Sequence, residues 1–211
     1  MRHGIIIYDF SALSLILEIA LSNNTQRSLR LLPLLCALLV VAVSAGCSSM
    51  NTISDGADRN LMLMGHDPVA YFTEGKSIPG SPDIKVEHGG VTYRFSNENN
   101  RNLFARSPAK FIPQYGGYCS NGAVYAIPWG GEPQNFKIVE GRLFIFGGQK
   151  SLDYWSMQQK TNIELGDRYW ESEMKDHSAF WQRWRRLVFR VPHYKSGKEL
   201  EAEWQLLQAR K

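Results

Sequence analysis

The chain is poor in cysteine, with Cys36, Cys47 and Cys119 as the three in 211 residues. Cys36 lies inside an apolar leader and Cys47 at its end, so Cys119 has no partner in the remainder of the chain. A framework of internal disulfides is therefore not expected, although a leader points to an oxidising compartment. One thiol with scattered histidines is likewise no zinc finger, which needs four ligands. Long blocks of one charge are also missing. The net charge is +4, from 24 Lys and Arg against 20 Asp and Glu. The one dense basic patch, Arg183, Arg185 and Arg186, is interleaved with Trp181 and Trp184. A nucleic-acid partner, which requires a clustered basic face, is not expected.

Catalytic signatures are absent as well. There is no P-loop, dinucleotide fingerprint, Ser-His-Asp order or His-x-x-x-His pair. Glu171 and Glu173 stand beside basic residues and read as solvated helix surface. No internal repeat occurs. A binding protein is expected rather than an enzyme.

What the sequence does have begins with the leader. Arg27 and Arg30 precede an apolar run from Leu31 to Val43, as long as a secretory h-region and too short to span a bilayer comfortably. The run ends in Ser44-Ala45-Gly46-Cys47-Ser48-Ser49. Small residues before a cysteine resemble the lipobox of bacterial lipoproteins. That resemblance implies a diacylglyceryl group on the Cys47 thiol and cleavage between Gly46 and Cys47. The other readings are an ordinary signal cut near Ala45, or an uncleaved anchor. Several acyl chains on one residue make anchoring stable. No aspartate follows Cys47, which favours the outer membrane, facing the periplasm. Residues 1–46 are thus expected to be a signal peptide, with 1–26 lying upstream of the true start.

Residues 47–60 are rich in Ser, Asn and Asp and read as a lipidated tether. Two β-prone runs flank Gly89-Gly90, and two more flank Glu140-Gly141, so two hairpins are expected. Ser96 or Asn97 can cap a short helix carrying Leu103 and Phe104. From Ser151 the pattern turns helical. Leu152, Trp155 and Met157 fit one helix, Tyr169 to Val191 another, and a last one runs from Ser196-Gly197 through Trp204. The expected fold class is α+β: a small antiparallel sheet with packed helices over 61–160, then a helical C-terminal extension over 161–211.

Two stretches carry a longer pattern: Gly65 to Lys76 (GHDPVAYFTEGK) and Phe111 to Ser120 (FIPQYGGYCS). With the Gly-rich hairpin between them, they resemble the YHS-domain family in its small exported form, G(Y/H)DPVAYF…QYGGYC. The resemblance spans roughly Leu61 to Trp155. It implies a module of the kind found beside metal-transport and metal-binding domains, with Cys119, Tyr115, Tyr118 and the Gly65 to Phe72 segment as the positions carried over. The additional cysteines of related metal modules are not present here.

Cys119 follows Gly116-Gly117, where the backbone can bend tightly. It reads as a ligand for a soft metal such as Cu(I), as a redox thiol, or as a small buried hydrophobe. His66 and Asp67 stand before Pro68, near a chain reversal. They are the companion candidates for a copper or zinc site, though Asp67 also suits a turn-forming role. Met62, Met64 and His66 alternate and would share one face of a strand. Tyr71, Tyr115 and Tyr118 are the candidates for lining a ligand pocket. His88, His177 and His193 lack ligand spacing. Phe180, Trp181, Trp184 and Phe189, with Trp170, form an aromatic stripe expected to pack on the core. The arginines Arg183, Arg185, Arg186 and Arg190 would then face outward, towards anionic lipid head groups. The expected role is a lipid-anchored binding module for a transition metal or small ligand near Cys119. The alternatives are an interaction lipoprotein that docks an envelope partner through its aromatic C-terminal helices, and a thiol-dependent redox protein.

Overall fold

The computed structural model describes residues 50–210. The expected signal peptide, the lipobox-like run and Cys47 lie outside the described residues. The fold is α+β, as the patterning indicates. Strands β1 (Thr52–Asp55), β2 (Asp58–Met62), β3 (Ser81–His88) and β4 (Val91–Phe95) form one sheet in the order β1-β2-β4-β3. The β1–β2 and β3–β4 pairs are antiparallel and β2–β4 is parallel. The sheet is therefore mixed. Strands β5 (Glu132–Val139) and β6 (Arg142–Phe146) form a separate antiparallel pair.

The hairpins turn where the sequence supplies left-handed residues. Gly89 and Gly90 take φ of 59° and 74°, which fits the tight turn that matches the twist of the flanking strands. Residues 52–60, read from composition as tether, instead form β1 and most of β2. Leu61 and Met62 at the end of β2 are buried, which draws this hairpin onto the sheet. After Met62 the chain leaves the strand. Leu63 and Met64 adopt φ of 53° and 50°, so Met62 is buried while Met64 is exposed. Met62, Met64 and His66 therefore do not share a face.

The helices are α1 (Ala70–Thr73), α2 (Glu98–Arg106), α3 (Pro108–Phe111), α4 (Ser120–Ala123), α5 (Gln149–Met157), α6 (Gln159–Tyr169), α7 (Ala179–Val188) and α8 (Gly197–Gln208). Asn97 caps α2 by accepting from the Asn100 N–H at 2.9 Å. Ser196 and Glu199 form a reciprocal capping box on α8. The single helix expected from Tyr169 to Val191 is broken. A π-turn at Trp170–Met174 ends the first part, and Ser178 caps α7 anew.

Strand β6 supplies the centre of the molecule. Leu143 and Ile145 point into one apolar cluster with Met62, Tyr71, Phe95 and Phe104. Phe144 and Phe146 point into another with Tyr115, Cys119 and Trp155. That division follows from the two-residue period of a strand. Each such side chain contributes roughly 1.5–3 kcal/mol on burial. The second cluster also contains Met174 and Val191, so residues on both sides of position 160 share one core. The described residues 50–210 fall within a single compact unit.

Candidate functional site

Asp67 is fully buried, and both its carboxylate oxygens are engaged. Oδ1 accepts from the N–H groups of Val69 and Ala70 at 2.8 and 3.3 Å. Oδ2 accepts from the Ser96 N–H, the Ser96 hydroxyl and the Asn100 amide at 2.8, 2.7 and 2.8 Å. The carboxylate thus ties the start of α1 to the end of β4 and the start of α2. It is a turn-former and a tertiary staple. His66 beside it is half-buried, with Nδ1 3.0 Å from the Leu63 carbonyl and Nε2 3.5 Å from the Gln134 amide.

Cys119 belongs to the other cluster and is 2% exposed. Its N–H donates to the Trp129 carbonyl at 2.8 Å, its carbonyl accepts from Ala123, and its backbone bridges to Ile145. A Cβ added at Gly147 would lie 3.7 Å from the Cys119 Sγ and 2.8 Å from the Gly130 carbonyl oxygen. The absence of a side chain at Gly147 is what lets the two backbones close over the thiol.

A copper or zinc site does not fit these surroundings. The thiol lies in an apolar cluster, and the Asp67 oxygens are committed to the fold. Among the described residues no three His, Cys, Asp or Glu side chains stand together as a metal-binding group.

The three tyrosines expected to line a pocket do not converge on one. Tyr71 lies in the first cluster, donating to the Pro133 carbonyl at 3.0 Å and meeting Phe136 edge-on. Tyr115 and Tyr118 lie in the second. Tyr115 donates to Asp167 at 3.0 Å, beside the Arg142–Asp167 ion pair. Tyr118 donates to the Met50 carbonyl at 3.2 Å. Each hydroxyl is taken up in holding the fold.

A cleft of about 150 Å³ is lined in part by α4 and the turn after it; Cys119, the residue before α4, is not among its walls. Asn121 and Tyr125 come from α4 and the turn after it, Asn162 from α6, His193 and Lys195 from the segment before α8, and Glu203 from α8. His193 is clasped between two rings, Tyr125 and Tyr169, each with centroids 5.8 Å away and nearly parallel. Its Nε2 stands 2.9 Å from the Val124 carbonyl. A carbonyl accepts only, so Nε2 carries the proton and Nδ1 is left as an acceptor in the neutral ring.

Asn121 is 5% exposed, and its side-chain amide has no hydrogen-bond partner among the described residues. The Tyr125 hydroxyl has none either. Burial, and then the carboxylate of Glu203, pushes the Tyr125 phenol up to about 12, so it remains a donor at neutral pH. Lys195 is paired with Glu203 at 2.6 Å and contributes a closed charge pair rather than a free cation. The cleft thus combines aromatic and aliphatic walls with donors and acceptors that the fold leaves unused.

Sequence reasoning set His193 aside for want of ligand spacing. The Pro192-His193-Tyr194-Lys195 run was its one available signal, since the ring's partners come from positions 124, 125 and 169. No family model, no curated protein and no solved structure matches the chain.

Proposed function

We propose that the chain is a lipid-anchored, periplasm-facing envelope protein built on a YHS-like domain. In this reading it binds a small polar organic ligand in the cleft lined by Asn121, Tyr125 and His193. The lipobox-like run at Cys47 and the two family-like stretches support the anchor and the domain. The observation that carries the binding role is His193, fixed between Tyr125 and Tyr169 with Nδ1 free to accept. A clasped ring with one nitrogen anchored to main chain is preorganised for recognition, because little rotamer freedom is lost when a ligand arrives. The cleft volume suits a molecule of a few heavy atoms, with polar groups towards Asn121 and Tyr125 and an apolar part against Leu165 and Leu200.

The test is a thermal-shift survey of small amides, amines and carboxylates, followed by calorimetry. A compound that stabilises the protein, and loses that effect in Tyr125→Phe and His193→Gln, supports the reading. Hits unaffected by both substitutions, or no hits at all, overturn it.

A further inference from the structure

Helix α7 is mounted with its apolar side outward. Leu187, Phe180 and Trp181 are 71%, 66% and 56% exposed, and Trp184 and Val188 are similar. At 3.6 residues per turn these five residues fill one continuous arc of about 120°. The opposite side carries Gln182 and Arg186, both buried. Gln182 donates to the Ala126 carbonyl at 3.0 Å and to Glu173 at 3.1 Å, and Arg186 pairs with the same carboxylate. Arg183 donates to the Pro128 carbonyl at 2.7 Å. Hydrogen bonds and charge thus hold the helix with its aromatic side in water, against the apolar-inward rule for a surface helix.

We infer that this side of α7 is a membrane-contact face, which lies against the interfacial region of an anionic bilayer. An arc of Trp, Phe and Leu edged by arginine is the composition of an interfacial helix. Arg185 is half-exposed and lies 3.3 Å from the Glu173 carboxylate that it shares with Arg186, and two arginines on one carboxylate leave a net positive charge there. Arg185 edges the arc on one side, Arg183 edges it on the other, and Arg190 follows beyond its C-terminal end. They supply the positive charge that complements anionic head groups. The groove beside the helix, about 350 Å³, extends the apolar face to Trp129.

The position of the chain's entry agrees. Asn51 donates through its side chain to the carbonyls of Gly117 and Gly131 at 3.0 and 3.4 Å. Its N–H donates to the Gly116 carbonyl at 2.8 Å. The described chain therefore begins beside the loop that carries Trp129. Cys47 lies three residues before Met50, a reach of roughly 10 Å. An acyl group there would enter the bilayer near this face. The inference rests on the proposed function for that anchor alone and is independent of the ligand cleft.

The test uses the compact unit 47–211 with Cys47→Ser, so that no acyl chain contributes. It is floated with vesicles of phosphatidylglycerol and phosphatidylethanolamine, and with phosphatidylcholine vesicles as the neutral comparison. The expected result is partition onto the anionic vesicles, with tryptophan emission quenched by lipids brominated in the acyl chain. The triple variant Phe180→Ser, Trp184→Ser, Leu187→Ser should lose at least about tenfold in partition. Arg185→Gln with Arg190→Gln should lose roughly tenfold or more on anionic vesicles. Unchanged far-ultraviolet dichroism keeps misfolding out of the comparison. Two results overturn the inference: no partition by the parent unit, or a concentration-dependent dimer, abolished by the triple variant, in place of vesicle binding. Ligand titrations on the same variants report the cleft separately.

Discussion

Arg186 and Glu173 form an ion pair beneath α7, with Gln182 hydrogen-bonded to the same carboxylate. The inner side of this helix is thus anchored by charge, and the outer side contributes little to the folded state. Glu173→Ala should lower stability by about 3 kcal/mol, because it leaves a buried guanidinium without its partner. Trp181→Ser on the outer side should change it by less than about 0.5 kcal/mol. Urea unfolding of the two variants checks this. Equal losses would mean that the aromatic side is packed.

Asp67 predicts a second large loss. Asp67→Asn keeps the volume but turns an amide N–H₂ towards donors on Val69, Ala70, Ser96 or Asn100. Both it and Asp67→Ala should cost about 2–4 kcal/mol. Chemical denaturation measures the loss. A metal-ligand role would instead leave the metal-free protein nearly as stable as its parent.

The buried thiol should be inert. Cys119 in the native protein should react with an aromatic disulfide reagent only as fast as the protein opens, and at full rate in denaturant. Cys119→Ala should cost about 1–2 kcal/mol through the space it leaves. Fast stoichiometric labelling of the native protein would restore the redox reading.

Stability should fall at both extremes of pH, for different reasons. Bonds from Lys150 and Tyr154 hold the Glu201 carboxyl at about 2, against its ordinary 4.5. Because its folded value is the lower one, its stabilisation is complete above 4.5 and fades as pH drops towards 2. Asp58, held down by Lys85 and then Arg94, acts in the same direction. Burial raises the Tyr71, Tyr93 and Tyr125 phenols from 10.0 to about 12. Their folded values are the higher ones, so their contribution is intact below 10 and is lost between 10 and 12. Melting temperature against pH shows both limbs. Glu201→Gln should flatten the acid limb and Tyr93→Phe the alkaline one.

The parts legible in the sequence were those with local causes. The turns at Gly89-Gly90 and Glu140-Gly141, the Asn97 cap and the Ser196–Glu199 box each depend on residues within a few positions. The β1–β2 hairpin was missed although Asp55-Gly56 is a turn signal. Its strands are mostly polar, and β2 finds its place through β4, some thirty residues on. The facing of α7 was read the wrong way round because its apolar arc promised core packing, while its polar partners Glu173, Ala126 and Pro128 are set by the tertiary fold. The cleft was illegible for the same reason. Its walls come from separate segments, and no spacing rule connects Asn121 to His193 or Glu203.

Strand β6 is a party wall. Its two sides, Leu143 and Ile145 on one and Phe144 and Phe146 on the other, seal the two cores of the described protein. Water that reached one core by peeling the strand away would wet the other in the same event. The two halves therefore share one fate on heating, and a slip of the strand by a single residue would exchange their contents wholesale.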